Sequence, residues 1–390
     1  IFTCSSAAFY EWVELNAPEM FEEIRKRVAE GRWKVVGGWW VQPDCNIPSG
    51  ESFVRQGLYG QHYFIKAFGR VAQTGYNVDS FGHNAMLPQI FRKSGMDNYV
   101  FMRPMPVEKR LPGRLFWWEA CDGSRVLSYR IPYEYCTWGR DLQDHIIRCA
   151  AQIQAPIREM MAFYGVGNHG GGPTKENIES IQRLNGEKGL PELRFSDPDT
   201  YFTSIRAMTK PSGDQSDEDR PGDIPVYNGG LQHHASGCYA AHSGIKQRNR
   251  QAENRLLAAE KFSALASLLM KAEYPDTFPL AWKQLLFNQF HDILAGTSLK
   301  EAYEDARNMH GEAITIADRN LNAAVQRLSW AIDIEEDPAM RPIVVFNPHS
   351  WDARVPVEME FGRYGAGDYL TTEGGEPVLH QLLQSSATSN

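Results

Sequence analysis

The chain has 390 residues, of which 42% are hydrophobic and 12% aromatic, and its formal net charge is −8. This length exceeds one comfortable hydrophobic core, so two or three domains are expected. The negative charge argues against a nucleic-acid partner. No apolar run approaches the ~20 residues that a membrane span needs, and no signal peptide is visible.

The six cysteines are scattered through the chain and form no CxxC pair. In a chain of this length that pattern indicates reduced, packed thiols rather than a disulfide framework. Together with the acidic charge it favours a cytoplasmic protein. The first residues, Ile1 to Ser5, are typical of a strand inside a fold. We therefore expect the chain to lack its true N-terminus.

Helices alternate with strands in the first part of the chain. Apolar periodicity and the positions of glycine and proline predict, in order, a helix at 9–30 interrupted at Pro18, a strand at 33–41, a helix at 49–68, a strand ending near Asp79, a helix at 85–95 and a strand at 99–103. Ser49 is a candidate cap of its helix. This alternation predicts βαβ units and a mostly parallel sheet.

The second part of the chain changes to long helices and then to strands. The predicted elements are a hairpin with strands at 115–119 and 125–129, helices at 141–163 and 176–184, a flexible connection at 211–225, helices at 244–272, 280–289 and 299–332, and strands at 343–348 and 353–359. Three long helices with short joins predict a bundle. We expect an α/β domain at residues 1–222, a helical bundle at 223–335 and the start of an all-β domain at 336–390.

Asp79 is the first candidate functional residue. It follows an apolar lead-in and precedes the segment Ser80 to His83, which is the pattern of a buried strand that opens into a loop. α/β folds place their chemistry at such strand ends. Asp79 could be a nucleophile, a general base or a metal ligand. The alternative is an Asp that caps the following helix.

Three other segments carry candidate residues. His291 and Asp292 lie among apolar residues, which suits either a capped helix end or the fixed imidazole of a metal site. The glycine-rich segment 164–174 has no GxxxxGK[ST] pattern, so an active-site loop is favoured over a nucleotide site. Of His233 and His234, at most one is expected to face a site, because adjacent side chains diverge in a regular element.

Several motifs occur together, in the order of one known family. They are Gly37 to Val41 with Pro43–Asp44, Asn46 to Glu51, Asp79 to His83, Leu87 to Ile90, Lys93 to Gly95, Gly170 to Thr174, Gln289 to Asp292 with Gly296–Thr297, and Phe346 to Pro348. With these motifs the chain resembles the glycoside hydrolase family 38 α-mannosidases over nearly its whole length.

The resemblance implies a sheet of the seven-stranded β/α type and a retaining exo-α-mannosidase that acts on mannose-containing oligosaccharides with zinc in the sugar site. The residue matching Asp79 is the family's nucleophile and a zinc ligand, and the residue matching His291 is another zinc ligand. Phe81 matches a ring packed by the sugar, Arg103 a cation that keeps the nucleophile ionised, and Asp292 a partner of sugar hydroxyls. Large relatives often form homo-oligomers.

The chain departs from the family pattern in two places. The family's His-x-Asp motif, which supplies two further zinc ligands, is not in this sequence, and we expect its place to be upstream of Ile1. Many relatives carry an acid/base Asp where Asn168 and His169 stand here. Asn cannot donate a proton as a general acid. His169 can, and it is the candidate acid/base.

Two other functions stay open on the residues alone. A zinc-dependent hydrolase such as a polysaccharide deacetylase would use Asp79 as a base or ligand acting on water. A non-catalytic carbohydrate-binding relative is supported by Asn168.

Overall fold

The computed structural model describes residues 1–138, 140–153, 157–167, 171–209, 224–335, 337–359 and 368–382. The chain divides into two compact units, Ile1–Ile334 and Glu335–Asn390. Residues 211–223 of the predicted flexible connection lie outside the described ranges. Among the described residues, no helix is both long and apolar enough to cross a bilayer.

The first unit contains seven described strands, divided between two sheets. They are β1 (Phe2–Cys4), β2 (Trp33–Val35), β3 (Thr74–Asn77), β4 (Asn98–Phe101), β5 (Leu115–Glu119), β6 (Arg125–Arg130) and β7 (Val226–Asn228). Strand β1 pairs with β2, and the other five lie in the order β3-β4-β6-β5-β7. Every pair is parallel except β5 with β6, which form the predicted hairpin. The mostly parallel arrangement is confirmed.

Strand β2 ends at Val35, although the sequence predicts a strand as far as Val41. Gly37 and Gly38 have φ angles of +96° and +67°, which glycine adopts at low cost and which interrupt an extended strand. A Cβ at Gly38 would lie 2.6 Å from the sulfur of Met96. The two glycines therefore end the strand and let the backbone turn closely against the core.

The helices described in the first unit follow the predicted order closely. They are α1 (Ala7–Asn16), α2 (Pro18–Ala29), α3 (Gly50–Phe68), α4 (Leu87–Lys93), α5 (Gln143–Ala150), α6 (Lys175–Leu184), α7 (Pro198–Met208), α8 (Ser243–Met270), α9 (Phe278–Phe287), α10 (His291–Ala295) and α11 (Lys300–Trp330). Helices α1 and α2 are separated just before Pro18, as predicted. The Ser49 hydroxyl accepts the N–H of Ser52 at 3.2 Å and caps α3, also as predicted.

The helices differ from the predictions in three places, one of which is the short α10, which was not predicted. The helix predicted at 141–163 exists only as α5, and no described residue between 151 and 163 is helical. The sequence itself argues against one helix as far as residue 163, because it contains Pro156 and proline is unfavourable inside a helix. Helix α7 was missed, although its start carries a cap signature. Asp197 accepts the N–H of Thr200 at 3.1 Å, and Pro198 occupies the first helical position.

The second unit lacks the strands predicted at 343–348 and 353–359. Among its described residues, β pairing is confined to a single bridge between Thr371 and Pro377. Val345 and Val355 are exposed. A strand is stabilised by a hydrogen-bonded neighbour and by burial of one face. The described residues of this unit provide neither.

Helices α8, α9 and α11 pack on one another as the predicted bundle. Their buried side chains share one apolar core with helices α1 to α3. Trp282 and Leu285 of α9 and Ile316 of α11 lie in this core together with Tyr10 of α1 and Phe64 of α3. The bundle is therefore continuous with the α/β part.

A buried carboxylate joins the bundle to helix α3. Glu253 of α8 is fully buried. Its Oε1 accepts hydrogen bonds from the N–H of Ser49 at 2.8 Å and the hydroxyl of Ser52 at 2.7 Å. Gln289, which follows α9, donates to the same oxygen at 3.1 Å, and Arg250 donates to Oε2 at 2.5 Å. A buried charge is tolerated only with such partners, so this carboxylate fixes three segments relative to one another.

Replacing Glu253 with alanine is expected to lower the free energy of unfolding by about 3–5 kcal/mol, because the change leaves several buried donors without an acceptor. Urea unfolding followed by far-UV circular dichroism measures the loss. The matched control is Glu304→Ala, which removes an exposed carboxylate paired with Lys300 and is expected to cost less than about 0.5 kcal/mol. Equal losses in the two variants would contradict the role assigned to the buried carboxylate.

Candidate active site

Asp79 lies two residues beyond the carboxyl end of β3, with its side chain 15% exposed. Arg103 Nε donates to Oδ1 at 2.6 Å, and the hydroxyl of Tyr135 donates to Oδ2 at 3.1 Å. Burial, followed by the charge of Asp79, raises the pKa of Tyr135, so this hydroxyl stays protonated. The carboxylate is thus oriented through both of its oxygens.

The loop that carries Asp79 is fixed by buried polar contacts on either side. The hydroxyl of Ser80, fully buried, donates to the carbonyl of Pro43 at 2.8 Å, and the N–H of Val78 donates to Gln42 Oε1 at 3.2 Å. Helix α4 begins after Met86 without a side-chain cap. Asp79 therefore does not serve as the helix cap that the residue pattern left open.

Arg103 is held at its backbone as well as at its side chain. The carbonyl of Arg103 lies 2.9 Å from Nε2 of His83, and the hydroxyl of Tyr99 lies 2.8 Å from Nδ1 of the same ring. A carbonyl only accepts, so His83 carries its proton on Nε2 and accepts from Tyr99 at Nδ1. Burial lowers the pKa of His83 to about 3 and keeps the ring neutral.

The guanidinium of Arg103 makes a second polar contact, with His234. Arg103 Nη1 lies 2.7 Å from Nε2 of His234, and Nδ1 of His234 lies 2.7 Å from Oε1 of Glu108. Partial burial opposes ionisation of Glu108, but hydrogen bonds from Met105 and His234 outweigh it and lower the pKa of this carboxyl. Four side chains therefore form a continuous hydrogen-bonded row that ends on Asp79.

His291 begins helix α10 and is almost completely buried. Its Nδ1 lies 2.9 Å from the carbonyl of Gln42, so Nδ1 carries a proton and, in the neutral ring, Nε2 has the lone pair that a metal ligand needs. The ring of Phe81 lies near both His291 and His234, at distances between ring centroids of 6.2 Å and 5.6 Å. Asp292 accepts from the hydroxyl of Thr297 at 2.8 Å.

The backbone around Asp44 accounts for the contact between His291 and the carbonyl of Gln42. Asp44 Oδ1 accepts the N–H groups of Asn46 and Ile47 at 2.9 and 2.8 Å and closes a tight turn. The N–H of Asp44 donates to the carbonyl of Gln289 at 2.8 Å. The turn is therefore tied to the chain just before His291.

The described residues contain no group of three or more His, Cys, Asp or Glu side chains arranged to hold a metal ion. Stable zinc sites use three or four protein ligands. His291 offers an imidazole protonated at Nδ1, and Asp79 offers a carboxylate, so both ligand types suit zinc. The set of ligands among the described residues is incomplete.

A cavity of about 670 Å³, within the range of small-molecule sites, has neither Asp79 nor His291 in its lining. Glu108 and Thr297, which contact His234 and Asp292, line it together with His233. Only His233 of the histidine pair lines this cavity, whereas His234 contacts Arg103 and Glu108. The expectation that at most one of the two faces a site stays a prediction. Asn168 and the candidate acid/base His169 lie outside the described residues.

The sequence reasoning missed Tyr135, Glu108 and the contact made by His234. Glu108 and His234 are 126 positions apart, and neither belongs to a recognisable motif. The signal that existed was the His233–His234 pair itself. Tyr135 gave no signal, because it lies between the predicted elements and belongs to none of the motifs.

Family models cover most of the chain. The model described as the glycosyl hydrolases family 38 N-terminal domain matches residues 1–230, and the alpha mannosidase middle domain matches residues 233–328. The chain belongs to glycosyl hydrolase family 38. The resemblance read from the motifs is therefore confirmed.

Curated proteins named as alpha-mannosidases are similar to most of the chain. Alpha-mannosidase G of Dictyostelium discoideum is 32% identical over 316 residues, which cover 80% of this chain and 28% of that protein. Alpha-mannosidase 2C1 of Homo sapiens is 30% identical over 360 residues, covering 90% and 33% respectively. The chain thus spans about a third of the length of the curated relatives it matches.

The crystal structure of an alpha-mannosidase from Enterococcus faecalis V583 shares the fold of this family 38 chain. Its TM-score is 0.68 at 23% identity, over 83% of this chain and 37% of that one. A 4-alpha-glucanotransferase from Thermococcus litoralis aligns with a TM-score of 0.52 at 12% identity, over 81% of this chain and 53% of the other. At sequence identities this low, the similarity to these two structures shows a shared fold and nothing about function.

Lowering the pH from 6.5 towards 3 is expected to destabilise the protein partly through His83. The unfolded state takes up a proton near pH 6.5, whereas the folded ring resists protonation until about pH 3, so the stability contributed by neutral His83 is lost as the pH falls through this window. The expected slope is up to about 1.4 kcal/mol per pH unit.

Urea midpoints between pH 6 and 4.5 measure this slope in the wild type and in His83→Gln, which removes the titrating ring and keeps a donor for the Arg103 carbonyl. The variant is expected to lose stability less steeply with acid. The exposed His62, changed to Gln, is the control and should keep the wild-type slope. A parallel pH dependence of His83→Gln and wild type would count against the buried neutral ring.

Proposed function

We propose that the protein to which this chain belongs is a retaining α-mannosidase that removes terminal α-mannosyl residues from glycans. The observation that carries the proposal is the carboxylate of Asp79 at a strand end, oriented by Arg103 and Tyr135 through different oxygens. A retaining glycosidase needs such a fixed, ionised carboxylate as its nucleophile. Membership of family 38 and the names of the relatives support the choice of mannose.

In this mechanism a carboxylate oxygen of Asp79 attacks the anomeric carbon and forms a glycosyl ester. The bond to the leaving oxygen breaks, and that oxygen takes a proton from the acid/base. Water, deprotonated by the same group, then attacks the anomeric carbon and frees Asp79, so the configuration is retained. We assign the acid/base role to His169. Phe81 would pack against the sugar ring, and Asp292 would accept from its hydroxyls.

We further propose that the site binds zinc through Nε2 of His291 and the carboxylate of Asp79, with the remaining ligands coming from outside the described residues. The protonation of His291 at Nδ1 by its contact with the Gln42 carbonyl supports this, because it leaves Nε2 as a donor to metal. Zinc, when bound, supplies Lewis acidity towards sugar hydroxyls. The residues of the chain supply the nucleophile and its orientation.

We also propose a cytoplasmic protein that assembles as a homo-oligomer. All six cysteines are free, including the buried Cys45 and Cys149. Free thiols are typical of a reducing compartment, and the negative charge is compatible with it.

Incubating the full-length gene product with a fluorinated α-mannosyl fluoride is expected to trap a sugar on Asp79. Mass spectrometry of peptides should find the adduct on the peptide that contains this residue. Asp79→Ala should abolish the adduct and lower turnover of p-nitrophenyl α-mannoside by at least about 10³-fold.

The matched control is Asp305→Ala, which removes an exposed carboxylate of α11 and should leave turnover and trapping unchanged. Release of acetate from an acetylated polysaccharide, with no trapped sugar, would favour the deacetylase. Saturable binding of mannosides without turnover or trapping would favour a carbohydrate-binding protein.

His291→Ala is expected to lower the zinc content of the purified full-length protein. The variant removes the imidazole and with it the proposed nitrogen ligand to the metal. Inductively coupled plasma mass spectrometry after dialysis against dilute zinc gives the ratio of metal to protein. His62→Ala serves as the surface-histidine control. An unchanged ratio in His291→Ala, or no zinc in the wild type, would overturn the proposed ligand.

A further inference from the structure

We propose that His234, held by Glu108, is a positioning residue that keeps the guanidinium of Arg103 on Asp79. It acts as the neutral ring protonated at Nδ1. The inference rests on the proposed function, since it assigns a role to the groups behind the nucleophile.

The protonation of His234 follows from the chemistry of its neighbours. A guanidinium has donors and no acceptor, so the 2.7 Å contact from Arg103 Nη1 requires a lone pair on Nε2 of His234. The proton of the ring must then be on Nδ1, where Glu108 Oε1 accepts it at 2.7 Å. Glu108 carries no proton in competition, because hydrogen bonds from its neighbours lower its pKa.

The hydrogen bonds therefore run in a fixed direction along the row. Arg103 donates to Asp79 through Nε and to His234 through Nη1, and His234 donates to Glu108. Both ends of the row are carboxylates and both inner groups have only one protonation pattern that satisfies every contact. The four side chains therefore have a single hydrogen-bonded arrangement, and this holds the guanidinium in one position.

Arg103 needs this second anchor because its side chain is long. His83 fixes only the backbone carbonyl, and the three methylenes of the side chain are free to change rotamer. Without His234, the described polar contact of the guanidinium is the one from Nε to Asp79. A displacement of about 1 Å at a reacting group costs on the order of 10²-fold in rate.

His234 also packs against Phe81, with ring centroids 5.6 Å apart, so a simple deletion would confound positioning with packing. Two amides of similar polarity separate the roles. In His234→Gln the side-chain oxygen reaches the place of Nε2 and can accept from Arg103. In His234→Asn the amide nitrogen stands near the place of Nδ1 and can donate to Glu108, but the acceptor for Arg103 is lost.

The experiment compares kcat and KM for p-nitrophenyl α-mannoside in the full-length protein carrying His234→Gln, His234→Asn or Glu108→Gln. We expect His234→Asn to lower kcat about 10- to 100-fold, with KM within about 3-fold, because the nucleophile is misplaced while the sugar contacts remain. His234→Gln should retain most of kcat, and Glu108→Gln should fall between the two. His62→Gln is the control with unchanged kinetics.

Crystal structures of the two His234 variants provide a readout that does not depend on activity. The Arg103 guanidinium should leave Asp79 in His234→Asn and stay in His234→Gln. Equal kinetics of the Gln and Asn variants, or an unmoved guanidinium in both, would overturn the positioning role. If the wild type turns over no mannoside, the proposed function fails, while the two structures still decide whether His234 fixes Arg103.

Discussion

The buried carboxylate of Glu253 is the contact on which the assembly of the first unit depends. It accepts from the cap of α3, from the segment after α9 and from its own helix. A charge in that position is costly unless every partner is present, so the network excludes small shifts between the bundle and the α/β part. Apolar packing alone tolerates such shifts more readily, because it is not directional.

The same network reaches the site through Gln289. This residue donates to Glu253 and stands two positions before His291, whose ring is fixed by the carbonyl of Gln42. Asp79 is fixed from the other side, by a loop whose Ser80 donates to Pro43. The segment from 42 to 44 therefore contacts both the strand end and the bundle. The relative positions of Asp79 and His291 are set by this one short segment.

Much of this arrangement could be predicted from the sequence, and the reasons are local. The cap at Ser49, the break at Pro18 and the hairpin between β5 and β6 depend on residues within a few positions of one another. Asp79 was recognisable because the end of a strand and a polar loop are adjacent in the chain. His291 was a candidate on its own residues, but only the family motifs connected His291 and Arg103 to Asp79.

The rest could not be predicted, because it depends on side chains that are distant in sequence. The row from Glu108 to Asp79 joins residues that folding alone brings together. The strands predicted near residues 343 and 353 are absent for a related reason. An apolar pattern forms a stable strand only when another strand pairs with it and one of its faces is buried. Helix α7 is a different case, because its start is marked within the sequence itself by the cap residue Asp197 and by Pro198.

The contact between His291 and Gln42 spans 249 positions, and this has a consequence for biosynthesis. At about 5–20 residues per second, a ribosome needs roughly 12–50 seconds to add the residues between them. The sheet and the loop that carries Asp79 emerge before the bundle is complete. During that interval the polar segment at 42–44 and the apolar faces of α1 to α3 lack their final partners. The candidate site is therefore completed late in translation, only after His291 of α10 has emerged.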